Sequence, residues 1–262
     1  MRVGYLQLDP KLGDVPSNLA RIEELLRDAS ADLLVLPELV TTGYSLADRE
    51  TARALAEPIP GPITERLAEL ACNCGAHLVV GLAECDGERL YNSAAVIGEA
   101  GVRAVYRKVH LFRREKQLFD PGDSGFAVVR LGELRLGVMI CFDWAFPEAA
   151  GTLARRGAQL IAHPANLVLP HARRAMPVRC LENRVFAITA NRWGVESGPD
   201  GQLVFAGESM IVSPSGEELA VAPPTEDHLQ IVSVDPSDAD DKRLTPENHV
   251  FDDRRPELYG EE

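Results

Sequence analysis

In GVMICFDWAFPEAA, residues 137–150, a cysteine closes an apolar run and is followed at once by an aromatic residue, an acid and a tryptophan. A thiol there reads two ways. Free cysteine packs as a small hydrophobe, so Cys141 can be simple core. It can also be a nucleophile at a strand end. A free thiol with a pKa near ~8.5 is only about a few per cent thiolate at neutral pH, so a nucleophilic cysteine needs a base or a cationic neighbour. Glu38 in VLPELVTTGY can supply the first and Lys108 in VYRKVHLF the second. Attack on a carbonyl creates an oxyanion, which an ammonium held in a dry pocket stabilises without reorganising.

These three residues need strands to carry them. RVGYLQL at 2–8 reads as a strand, and Ser17 reads as the cap of a helix whose Leu19, Ile22, Leu26 and Ala29 recur at helical spacing. DLLVLPE at 32–38 is a buried-type strand ended by Pro37, and Thr64 opens a second helix through Leu67, Leu70, Ala71 and Cys74. HLVVGLAEC, YNSAAVIG and VRAVYRK follow as a meander. The second half then echoes the first. RLGVMIC at 135–141 resembles RVGYLQL, and AQLIAHPA at 158–165 resembles ADLLVLPE at 31–38. Two α/β halves related by a pseudo-two-fold are therefore expected, with Glu38 and Cys141 both at C-terminal strand ends, where open α/β sheets place their binding crevices. A helix over 171–184, the strand VFAITAN, and a strand and turn in GESMIVSPSGEEL complete this half.

The bulk properties exclude several classes. A chain of 262 residues with 45% hydrophobic residues can fill a substantial core, and a net charge of −13 without a basic stripe argues against nucleic acid as a partner. No apolar run reaches the ~20 residues of a membrane span, and MRVGYLQLDP lacks signal-peptide regions, so no membrane partner and a cytoplasmic location are expected. Five cysteines (Cys72, Cys74, Cys85, Cys141, Cys180) read as free thiols. Cys72 and Cys74 lack a second pair at zinc-like spacing, and His163 with His171 lacks further ligands, so neither a metal nor an organic cofactor is expected. From Pro236 the chain becomes charged and proline-interrupted, with scattered Leu244, Val250, Phe251, Leu258 and Tyr259. It reads either as a solvated tail or as an arm lying on a neighbouring subunit.

Taken together, PELVTTGY, YRKVHLF with PGD downstream, and GVMICFDWAFPE resemble the motifs of the nitrilase superfamily of carbon-nitrogen hydrolases, with HPAN at 163–166 and ENR at 182–184 as later landmarks. The resemblance spans nearly the whole chain. It implies an α/β fold, a four-layer-forming α-β-β-α sandwich of two pseudo-symmetric halves that stacks with a second copy into a four-layer dimer, and a Glu-Lys-Cys triad of Glu38, Lys108 and Cys141. It also implies a homodimer, with residues 1–235 as the hydrolase domain and 236–262 as an arm at the subunit interface.

The family commonly carries a second glutamate shortly after the lysine, and Glu115 is the candidate at that distance. The alternative pairs Glu115 with Arg113, Arg114 or Lys116 on a solvated loop. Phe142 is expected to lend its backbone N–H to the oxyanion, and Trp144 and Asn166 to border the substrate. Asp143 is expected to be a structural hydrogen-bond partner. A Cys-His dyad using His110 or His163 is the mechanistic rival. The implied reaction is cysteine-dependent hydrolysis of a small linear amide to ammonia and a carboxylic acid through a thioester, with a nitrile or an N-carbamoyl compound as the alternative substrate. An inactive assembly subunit is the alternative of another class. FDWAFPE places tryptophan and alanine where many members carry a basic residue able to grip an acidic substrate, which favours an uncharged one.

Overall fold

Apolar strands of this chain alternate with amphipathic helices, and each strand finds a helix on one face and another sheet on the other. The computed structural model describes residues 1–199 and 201–260. Its first strands are β1 (Arg2–Gln7), β2 (Leu33–Val35), β3 (His77–Asp86), β4 (Arg89–Gly98) and β5 (Gly101–Arg107). The second half brings β6 (Val128–Leu131), β7 (Leu134–Val138), β8 (Leu160–Ala165) and β9 (Phe186–Asn191), a ribbon of β10 (Trp193–Gly198) and β11 (Gly201–Ala206), then β12 (Met210–Val212), β13 (Glu218–Val221) and β14 (His228–Ser233). Helices α1 (Val15–Leu26), α2 (Arg49–Leu55), α3 (Pro62–Cys74), α4 (Glu115–Leu118), α5 (Pro147–Arg155) and α6 (His171–Asn183) connect them.

The sheets run β14-β1-β2-β3-β4-β5 and β6-β7-β8-β9-β12-β13. Each has an antiparallel edge, three parallel central strands and two further antiparallel strands. The pseudo-two-fold is thus real: β1-α1-β2 corresponds to β7-α5-β8, as the paired sequences RVGYLQL/RLGVMIC and ADLLVLPE/AQLIAHPA imply. Alternation along the strands divides the apolar residues between two faces. Val3, Tyr5, Leu33 and Val35 meet Leu136, Val138, Leu160 and Ile188 between the sheets. Leu34, Leu36 and Leu78 pack on Leu19, Ile22 and Leu67 of α1 and α3. Met139, Ile161 and Ala187 pack on Leu153 and Met176 of α5 and α6. Four layers, α-β-β-α, are therefore complete within one chain.

Several local expectations shift. The side chain of Asp14, not Ser17, caps α1, accepting from the Ser17 N–H, because Pro16 already suits the first turn. The second helix starts at Pro62, with the Thr64 hydroxyl accepting from the Gly61 N–H. Helix α2 and the β10–β11 ribbon carry no periodicity strong enough to be read from sequence. Strand β7 stops at Val138, and Cys141 opens a 3-10 turn over Cys141–Ala145 rather than ending the strand.

Beyond Pro236 the chain first clings to its own body: Asp240 accepts from Arg135 and Gln159, and Lys242 Nζ donates to the carbonyls of Asn183 and Arg184 at the end of α6. Among the described residues no helix is long and apolar enough to cross a membrane.

Candidate active site

Glu38 follows β2 by way of Pro37, Lys108 follows β5, and Cys141 follows β7, so three strand ends converge. Beyond the end of β2 the chain keeps bonding to β3, through Leu36 N–H to the Val79 carbonyl and Val40 N–H to the Gly81 carbonyl, which fixes the Glu38 backbone. Lys108 is held from both sides. Its N–H donates to Asn92 O, and its carbonyl accepts from Gly122 N at 2.8 Å. A Cβ at Gly122 would collide with the Arg107 carbonyl, which gives the PGD motif its physical reason.

The Lys108 ammonium is fully buried and sits 2.6 Å from Glu38 Oε1 and 2.7 Å from Glu115 Oε2. Asn92 Nδ2 donates to Glu38 Oε1 at 2.7 Å, and the Tyr44 hydroxyl donates to Glu115 Oε1 at 2.6 Å. Glu115 is thus not on a solvated loop with its arginine neighbours. It is buried on α4 against Lys108. Burial first, then the Glu38 charge, push the Glu115 carboxyl up to about 7, against the opposing pull of Lys108. Lys108 itself is pushed up. Its burial disfavours the charge, but the flanking Glu115 and Glu38 outweigh that cost.

Cys141 takes a left-handed backbone, φ 41°, at the start of its turn. The Asp143 carboxylate builds that turn by accepting from Ile140 N at 2.9 Å and from the Tyr106 hydroxyl at 2.7 Å, the structural role expected for it. Asn166 stands between the cysteine and the glutamate: it lines the cleft with Cys141, and its Nδ2 donates to the Glu38 carbonyl at 2.9 Å. Burial and the Glu38 charge hold the thiol well above its ordinary pKa, while Lys108 and the Asn166 N–H oppose them. At rest the sulfur carries its proton.

A small cleft opens at the thiol, with Asn166 on its polar side and Phe112, Phe142, Trp144 and residues 167–169 around it. The structure therefore brings together all seven residues singled out in the sequence: Glu38, Lys108, Cys141 and Glu115 at the centre, and Phe142, Trp144 and Asn166 at the cleft. Both histidines of the rival dyad are engaged away from the thiol. His163 Nε2 faces the Cys141 carbonyl oxygen, and His110 Nδ1 lies 2.8 Å from Asp143 with its ring stacked on Phe146. Tyr44, Asn92 and Phe112 join the seven at the site without being candidates on sequence grounds. Tyr44 stands inside PELVTTGY, and Asn92 lies beside Ser93 in the mostly apolar strand β4, with nothing local to set it apart from that serine. Among the described residues no cluster of potential ligands for a metal ion is present.

The carbon-nitrogen hydrolase family model matches residues 2–243. A nitrilase of Pyrococcus abyssi is 48% identical over 99% of both chains. Two solved structures share the fold. A carbon-nitrogen hydrolase from Helicobacter pylori G27 superimposes with a TM-score of 0.90 at 26% identity, covering 99% of this chain and 96% of its own. A variant of the amidase from Nesterenkonia sp. AN1, with the acetamide moiety of fluoroacetamide added covalently at its active-site cysteine, gives 0.81 at 30% identity, covering 98% and 95%. A cysteine in a strand-to-turn junction beside a buried Glu-Lys-Glu cluster, on two pseudo-symmetric sheets, is where these likenesses meet: the chain belongs to the carbon-nitrogen hydrolase family of the nitrilase superfamily and is a carbon-nitrogen hydrolase.

Proposed function

We propose that the chain hydrolyses a small, uncharged linear amide to a carboxylic acid and ammonia, with Cys141 as nucleophile. One observation carries the reading: a fully buried ammonium is clamped between two buried carboxylates in the same pocket as a buried thiol. Glu38 takes the proton from the thiol as the sulfur attacks the carbonyl carbon. Charge gathers on the carbonyl oxygen, where Lys108 and the Phe142 N–H stabilise it. Collapse of the adduct breaks the C–N bond, and Glu38 returns its proton to the departing nitrogen. A water molecule, deprotonated by Glu38, then attacks the thioester and releases the acid and the thiol. Glu115 holds Lys108 in line and borders the reacting nitrogen.

Support for the amide comes from the acceptors around the site. Glu38 Oε2, Asn92 Oδ1 and Asn166 Oδ1 are buried without hydrogen-bond partners among the described residues. A primary amide brings two N–H donors to such a site. A nitrile brings none. The small apolar cleft supports a short, uncharged acyl group. The full-length likeness to the Pyrococcus abyssi nitrilase favours a nitrile as the second reading.

The test is ammonia release across a panel of amides, nitriles and carbamoyl compounds, with intact-mass detection of an acyl adduct. Cys141→Ala should fold and lose both the adduct and essentially all turnover, while Cys72→Ala and Cys85→Ala keep them. Wild-type turnover in Cys141→Ala would overturn the reading.

A further inference from the structure

The ribbon β10–β11 belongs to neither main sheet, yet it reaches the site through one carboxylate. Glu196 is buried, 5% exposed, at the middle of β10. Its Oε2 accepts from Ser45 N at 2.6 Å and from Tyr44 N at 3.1 Å, and its Oε1 accepts from the Arg192 guanidinium. Arg192 is fully buried, pairs also with Asp9, and lies 4.1 Å from the centre of the Phe205 ring. Phe205 in turn meets the Tyr44 ring edge-on at 5.9 Å. The ribbon therefore grips both the backbone and the ring of Tyr44, whose hydroxyl is the one on Glu115.

Gly43 is the residue that makes the grip possible. It sits at φ 75°, and a Cβ there would lie 2.8 Å from Glu196 Oε1. The same Cβ would lie 2.8 Å from the Leu12 Cα, so a larger residue must displace the carboxylate, the Leu12 backbone or both.

We propose that Glu196 is a positioning residue for the hydrolase reaction: through the Tyr44 and Ser45 amides it fixes the Tyr44 hydroxyl on Glu115 and so holds Glu115 in its charged, lysine-bound form. The inference rests on the catalytic reading given above. The groups facing Glu115 are Lys108, Glu38, the Tyr44 hydroxyl, Asn92 and the Cys141 thiol. Those facing Glu196 are Arg192 and, beyond it, Asp9, which also feels Asp227.

The sign of the effect separates positioning from simple charge. Replacing Glu196 with glutamine removes a negative charge from the neighbourhood, and by Coulomb's law that alone eases ionisation of Glu115 and moves the acid limb of kcat/KM down. Loosening the Tyr44 hydrogen bond does the opposite, since that bond favours the carboxylate. In Glu196→Gln the acid limb is expected to move up by about 0.5–1 pH unit, on the scale of a weakened hydrogen bond to a charged group. kcat should fall by about tenfold with KM nearly unchanged, because Glu196 does not line the cleft at the thiol.

Tyr44→Phe should shift the limb in the same direction, and Tyr44→Phe/Glu196→Gln should shift it no further than Tyr44→Phe alone. A folded Glu196→Gln enzyme whose limb stays or moves down overturns the proposal, as does an additive double variant. If Glu196→Gln does not fold, Gly43→Ala, which keeps every charge, is judged by the same upward shift. Failure of the catalytic reading looks different: Cys141→Ala would still release ammonia, whatever Glu196 does.

Discussion

His163 Nε2 lies 2.9 Å from the carbonyl oxygen of Cys141, while its Nδ1 lies 3.0 Å from Thr189 Oγ1. A neutral imidazole satisfies both by donating to the carbonyl and accepting from the hydroxyl, and burial pushes this histidine's pKa down, keeping it neutral. The ring therefore anchors the left-handed turn of Cys141 from behind. The HPAN motif supplies a backbone partner, not a base.

His163→Ala should accordingly strand a buried carbonyl and lower stability by about 1–3 kcal/mol in denaturant melts. Turnover should fall as the turn loosens, but the acid limb of the pH profile should keep its position. A loss of activity as complete as that of Cys141→Ala, in a stably folded variant, would instead revive a Cys-His dyad.

The pH dependence follows from Glu115, whose carboxyl is pushed up from the ordinary 4.5 to about 7 by burial and the Glu38 charge. If its carboxylate must hold Lys108 during turnover, kcat/KM declines as pH falls through about 7, and Glu115→Gln loses that limb along with most activity. Stability runs the other way. The folded state binds the Glu115 proton more tightly than the unfolded state, so this contribution is fully present below about 4.5 and is lost as pH rises through about 7. Melting temperatures measured across that window in wild type and Glu115→Gln should converge at the acid end. Parallel curves would show that Glu115 is not the titrating group.

Much of this site is legible in the sequence because its residues sit beside features with strong local signals. Glu38 is marked by an apolar strand ending in Pro37, and the halves betray their symmetry through paired strands. What is not legible is set by distance along the chain. Tyr44 is placed by Glu196, 152 residues away, and Asn92 meets Glu38 across 54 residues, so neither role leaves a local pattern. The end of β7 is misread for a related reason: the Asp143 carboxylate takes the Ile140 N–H, and a strand pattern does not reveal that a following acid will bend it.

The C-terminal segment separates into two parts with different tests. We propose that residues 236–262 form an arm on the 1–235 hydrolase domain and meet a second copy of the chain; residues 261–262 lie outside the described ones. Asp240 and Lys242 bind their own chain, but Leu244, Leu258 and Tyr259 are 57%, 68% and 52% exposed. Truncation at Val234 would remove both sets and lower stability whether or not a dimer exists. Leu258→Asp/Tyr259→Asp instead leaves the intrachain anchors of Asp240 and Lys242 in place, and light scattering should show a weaker dimer while circular dichroism shows the fold retained. A wild-type monomer at micromolar concentration removes the idea.

Amide and nitrile chemistry make different demands on Lys108. Both begin with Cys141 attacking an electrophilic carbon, but the amide gives a tetrahedral oxyanion at once, whereas the nitrile gives a thioimidate that needs water before ammonia can leave. If Lys108 chiefly stabilises the oxyanion, Lys108→Met should depress amide turnover by about 10²–10³-fold, the range for losing one such donor. The variant must be assayed as a folded protein, since it leaves Glu38 and Glu115 buried without their cation, a change that typically costs about 3–5 kcal/mol. Because the cleft is walled by Phe112, Phe142, Trp144 and Leu167, with no basic side chain among the described residues that line it, a carboxylate on the substrate would lose its water there without gaining a partner. Short uncharged amides should therefore outrun both dicarboxylate monoamides and nitriles. Competition assays of kcat/KM on matched amide, nitrile and carboxylate-bearing pairs decide the order, and a nitrile preference above about tenfold would move this protein to nitrile hydrolysis.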